Sequence, residues 1–137
     1  MRPAPAILRL ALGLALAAGA AGAETPMTAT EFEAYVNGRT IHYAGQGQEA
    51  YGAEQYLPNR RVIWTFLDGE CVEGLWYEEG GLICFVYELD LMPQCWSFWR
   101  SGGGITARFE NEPAATALYE LSQTDEPLIC QGPDLGV

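Results

Sequence analysis

The sequence predicts a mainly β fold: a small antiparallel meander sheet or partly closed barrel, with one short N-terminal helix and two disulfides. Three observations predict it. Residues 60–110 alternate apolar and polar side chains with a period of two and are broken at regular intervals by glycine-bearing turns. All four cysteines, Cys71, Cys84, Cys95 and Cys130, lie beyond residue 70, with no C-x-x-C pair among them. The only helical spacing, in residues 29–36, comes before the first strand.

Residues 1–23 have the layout of a secretory leader, with Arg2 and Arg9 near the start, an apolar stretch and Ala21-Gly22-Ala23 at the end. The apolar stretch is interrupted by Gly13 and Gly19 and is too short for a membrane span. Residues 24–137 are then expected to form a single domain, soluble and monomeric, in the periplasm or outside the cell. Loss of the two leader arginines takes the formal charge of −11 to −13. The remaining bases are Arg39, Arg60, Arg61, Arg100 and Arg108, against 18 carboxylates. A nucleic-acid partner needs a basic surface and is excluded; a protein or a neutral ligand remains.

Element by element, Thr28 and Glu31 form a capping box for a helix over residues 29–36, whose Phe32, Tyr35 and Val36 make one apolar face, and Asn37-Gly38 stops it. Residues 39–44 read as a strand with Ile41 and Tyr43 on one face and Thr40 and His42 on the other. Residues 45–58 read as a loop, or a weak strand over 53–57, with Tyr51 and Tyr56 as contact residues. The next strand, residues 60–67, is closed by Asp68-Gly69, which predicts a two-residue type I′ hairpin into residues 70–77. Strands over 82–88, 94–100 and 105–110 follow, and residues 116–121 are read as a closing strand with a short helix as the alternative. The apolar 82–88 strand is expected at the centre of the sheet. Residues 125–136 are expected to lack regular structure.

If Asp68-Gly69 and Glu79-Gly80 are the turn centres, Val62 pairs with Leu75 and Leu75 with Cys84, while Cys84 falls opposite Cys95. A cross-strand pair is close enough to bridge, which favours Cys84–Cys95 with Cys71–Cys130 among the three connectivities. By the same parity Trp64 and Trp99 share one face and Trp76 and Trp96 the other, and Glu73 points inward beside Trp64. Trp99, with Arg100 beside it, is the tryptophan expected to be exposed.

No residue set carries a catalytic or metal signature. Glu73, Glu78, Glu79 and Glu88 are dense enough to suggest a carboxylate pair, and His42 is the only histidine, but no spacing links either to a partner. Zinc would need more ligands, and no motif calls for a cofactor.

Gly74-Leu75-Trp76, Gly81-Leu82-Ile83-Cys84 and Cys95-Trp96, together with the leader, resemble domain-of-unknown-function family 995 of small exported bacterial proteins. The resemblance implies an exported β-rich domain and no catalytic residues. Arg100-Ser101-Gly102-Gly103-Gly104, running on to Arg108-Phe109, is similar to the serine-glycine loop of periplasmic lysozyme inhibitors, whose partner is basic. The three consecutive glycines and the order of the cysteines depart from that pattern.

The expectation is therefore a non-enzymatic binding or envelope-associated module, using Trp99, Arg100, Ser101, Gly102, Gly103, Tyr51 and Tyr56. The alternatives are an inhibitor of a basic cell-wall hydrolase and a small carboxylate-dependent hydrolase.

Overall fold

The computed structural model describes residues 2–3, 24–47, 49–115 and 117–131. The leader expected at 1–23 lies outside them apart from Arg2 and Pro3, as do Thr116 and residues 132–137. Among the described residues one α-helix, α1 (Ala29–Val36), precedes eight strands: β1 (Thr40–Ala44), β2 (Ala50–Tyr56), β3 (Arg61–Thr65), β4 (Val72–Glu79), β5 (Leu82–Tyr87), β6 (Asp90–Ser101), β7 (Gly104–Phe109) and β8 (Leu118–Thr124). Each strand pairs antiparallel with the next, and β8 returns to β1, so the sheet closes into an up-and-down barrel with no free edge.

The helix forms where its capping box predicts. The Thr28 hydroxyl accepts from the Glu31 amide, and the Glu31 carboxylate accepts from the Thr28 amide. Its apolar face closes one end of the barrel. Phe32 is fully buried there, with its ring against Tyr56, Trp76, Phe85 and Phe98 from four strands. Arg60 fastens the helix from outside, lying 4.4 Å from the Trp76 ring centroid and pairing with Glu33 at 3.3 Å.

Strand alternation puts the connections at residues 57–60, 80–81 and 102–103 at this helix end. Those at 45–49, 66–71, 88–89 and 110–117 lie at the other end. Both disulfides join the expected partners, Cys84–Cys95 across β5 and β6 and Cys71–Cys130 from the 66–71 loop to the C-terminal tail. The tail has no regular structure up to residue 131 and runs along the outside of the barrel. Thr40 donates to the Glu126 carbonyl, Leu128 donates to the Gln55 side chain, and Gln131 donates to the Gly69 carbonyl.

Residues 50–56 form a full strand where the sequence predicts a loop or a weak strand over 53–57, and the closing strand expected at 116–121 is found as β8 at Leu118–Thr124, so the helical alternative falls. Other sequence expectations change. Asp68-Gly69 does not make a two-residue hairpin. The Thr65 hydroxyl accepts from the Leu67 amide and donates to the Glu70 carbonyl, and Asp68 accepts from the Glu70 amide, which stabilises a six-residue loop instead. The resulting register pairs Val62 with Gly74, one residue from the expected Leu75. The next hairpin turns at Gly80-Gly81, so Cys84 faces Tyr77 rather than Leu75.

A slip of one residue exchanges the two faces of a strand. Trp76 is therefore buried and Leu75 is 47% exposed, while Glu73 points outward opposite Ile63. Trp64, Trp76 and Trp96 point into the barrel, and Trp99 alone points out. Closure also leaves no central strand, so β5 is one stave among eight. Cys84–Cys95 survives because the β5–β6 ladder shifts only between Phe85 and Tyr87, nearer the turn than the cysteines.

Candidate functional site

Eight strands enclose a space that is either filled by side chains or holds one small ligand. This barrel does both. The half nearest α1 is packed by Phe32, Val62, Trp76, Phe98 and Ile105. The other half is open to solvent through a cavity of about 410 Å³.

Two glycines shape the cavity. Gly52 on β2 lies against the Trp64 ring, and a Cβ there would collide with that indole, so the missing side chain makes room for Trp64. Gly74 on β4 does the same for Tyr87, whose ring passes over the strand and into the barrel. Tyr51, 46% exposed at the rim, packs on Trp64 and Phe66. Trp96, Phe85 and Tyr43 complete the aromatic walls. Leu89 and the carboxylates Asp68, Glu70 and Asp90 stand at the mouth.

At the bottom of the cavity is Glu54. Register puts it between Ile41 and Trp64 on the inner face of β2, where it is only 2% exposed. One carboxylate oxygen, Oε1, accepts from the Tyr87 hydroxyl at 2.9 Å. The other, Oε2, is buried and has no partner. Burial in these aromatic surroundings disfavours the charged form and pushes its pKa up from 4.5 to about 8, although the Tyr87 hydrogen bond pulls it down. Tyr43 and Tyr56, paired through their hydroxyls at 2.8 Å, lie beside it, and burial holds both phenols well above their usual range. Near neutral pH, Glu54 is therefore a carboxylic acid with one oxygen, Oε2, that has no hydrogen-bond partner.

The residues singled out from sequence divide between the two ends. Tyr56 is buried in the barrel and Tyr51 stands at its mouth, both lining the cavity. Trp99, Arg100, Ser101, Gly102 and Gly103 lie at the opposite, helix end. There, Gly102-Gly103 forms the tight β6–β7 turn with positive φ at both positions. Arg108 lies over the outward Trp99 ring, and Arg100 over the Tyr35 ring. The Trp99 ring nitrogen donates to the Glu24 carbonyl.

Of the groups named for a hydrolase, only Glu73 and Glu88 meet: the Glu88 carboxylate accepts from the Glu73 amide at 3.0 Å, and both residues are exposed. Glu73, Glu78 and Glu79 are exposed on β4, and His42 alternates outward from Ile41 and Tyr43 on β1. Among the described residues no group of three or more His, Cys, Asp or Glu could hold a metal ion, and no helix is long and apolar enough to cross a membrane.

Sequence reasoning missed Glu54 because it read residues 45–58 as a loop or a weak strand over 53–57 and assigned no inner face there. The signal was the alternation of Gly52, Glu54 and Tyr56 against Ala53 and Gln55, obscured by a glycine and a charge on the inner face. Comparison with protein-family models, curated proteins and solved structures finds no match to this chain.

Proposed function

We propose that this is an exported, non-enzymatic binding module that holds one small, flat, largely apolar ligand in the open half of its barrel. The carrying observation is the cavity of about 410 Å³. It has aromatic walls and one buried polar group with an unused hydrogen-bonding position, Glu54 Oε2. Ligand pockets commonly combine a mostly apolar lining with a few placed polar groups. Flat rings suit this one because Tyr43, Tyr51, Trp64, Phe85, Tyr87 and Trp96 dominate its lining. Two disulfides fit an oxidising compartment, and the leader-like residues 1–23 support export.

Titration with the neutral dye N-phenyl-1-naphthylamine tests this reading, with tryptophan fluorescence and energy transfer as readouts. One-site saturation is expected, weakened at least tenfold by Ala107→Leu, which adds bulk to an inward, cavity-lining position. Circular dichroism checks that the variant remains folded. Linear, unsaturable uptake of the dye, or binding untouched by Ala107→Leu, overturns the reading.

A further inference from the structure

We infer that the ligand is an organic cation, an amine on an aromatic or apolar body, whose ammonium group sits against Glu54 and the surrounding ring faces. The inference rests on the binding-module reading and narrows it to a chemical class.

Three observations converge on a cation. The first is the charge of the lining. Glu54, Asp68, Glu70 and Asp90 border the cavity, and among the described residues no lysine, arginine or histidine does. A carboxylate or phosphate ligand would meet the negative charge of Asp68, Glu70 and Asp90 at the mouth and find no compensating cation in the lining. The second is Glu54 itself, which lines the cavity, is nine-tenths and more buried, and leaves Oε2 unpartnered. A buried polar oxygen left unbonded is costly, and an ammonium group brings three donors to it. The third is the wall. Tyr43, Trp64, Tyr87 and Trp96 line the same cavity as the carboxyl, and aromatic rings attract ammonium groups through their faces and give nothing to anions there.

A protonated amine also changes the state of the site. The titratable groups facing Glu54 are Tyr43 and Tyr56 beside it, Tyr87 bonded to it, and Asp68, Glu70 and Asp90 toward the mouth. None of them supplies a positive charge. Near neutral pH, binding of R–NH3+ therefore displaces the proton of the Glu54 carboxyl to solvent and leaves an ammonium–carboxylate pair. The O–H bond breaks, the proton goes to buffer, and the charge of the complex equals that of the free protein. Affinity should accordingly rise with pH up to about 8, where the proton no longer has to be displaced.

Three probes of nearly equal shape test the inference: tryptamine, 3-ethylindole and indole-3-propionate, titrated into the full-length mature protein by calorimetry in buffers of different ionisation enthalpy. Tryptamine is expected to bind at least tenfold more tightly than 3-ethylindole, and indole-3-propionate more weakly than either. Tryptamine should release close to one proton per site at pH 7 and almost none at pH 9. In Glu54→Gln the preference for tryptamine over 3-ethylindole should shrink below threefold and proton release vanish. Equal affinities for tryptamine and 3-ethylindole, or tryptamine binding without proton release at pH 7, overturn the cation inference and leave the cavity reading standing. Absence of saturable binding by all three indoles and by N-phenyl-1-naphthylamine overturns both.

Discussion

Replacing Glu54 with glutamine isolates the energetics of the buried acid. The wild-type carboxyl titrates near 4.5 in the unfolded chain and near 8 in the barrel, because burial disfavours its charged form. Between those values the folded state keeps a proton that the unfolded state has lost. Stability therefore falls as pH rises through this window, by about 1.4 kcal/mol per pH unit, and levels off above pH 8. Over the whole window the loss amounts to about 5 kcal/mol, comparable to the entire stability of many domains. Glutamine has nearly the same shape, keeps an acceptor for the Tyr87 hydroxyl and does not titrate. The assay is urea unfolding followed by tryptophan fluorescence, at steps from pH 4 to pH 9, for both proteins. The difference in unfolding free energy should be small and constant near pH 4, then grow in favour of Glu54→Gln until pH 8. Because the other carboxylates are common to both chains, their titration largely cancels in the difference. A difference that stays flat across the range would refute the assignment of Glu54 as a buried neutral acid.

Tyr87→Phe removes the hydrogen bond that favours the Glu54 carboxylate, so the fall in stability should extend to higher pH than in the wild type, read by the same unfolding series. Phe32→Ala empties the fully buried contact between α1 and four strands and should cost about 3–5 kcal/mol in chemical denaturation. Loss of Cys71–Cys130, which spans 59 residues, should cost about 4 kcal/mol, and loss of Cys84–Cys95, which spans 11, about 3 kcal/mol; the order is checked by paired cysteine-to-alanine variants. Gly52→Ala should lift Trp64 from its wall, shift the tryptophan emission, destabilise the fold by about 1–3 kcal/mol and weaken dye binding.

The sequence alone determined the local features whose causes lie within a few residues. Thr28 and Glu31 cap the helix in any context, and the period-two alternation marks β3 to β7 whatever they pack against. The Cys84–Cys95 partnership was legible because the hairpin brings both cysteines together over a short separation. Register was not. Thr65 takes up the backbone groups that a two-residue Asp68-Gly69 turn would have used otherwise, and that one-residue change reversed the faces carrying Glu73, Leu75 and Trp76. Only the tertiary structure decided that the sheet closes, since the β1–β8 pairing joins strands from opposite ends of the domain and leaves no mark in either. The same closure decided the site. Glu54 becomes a buried acid, and Trp64 and Tyr87 become the walls above it, only once strands distant in sequence enclose a common volume and exclude water from it.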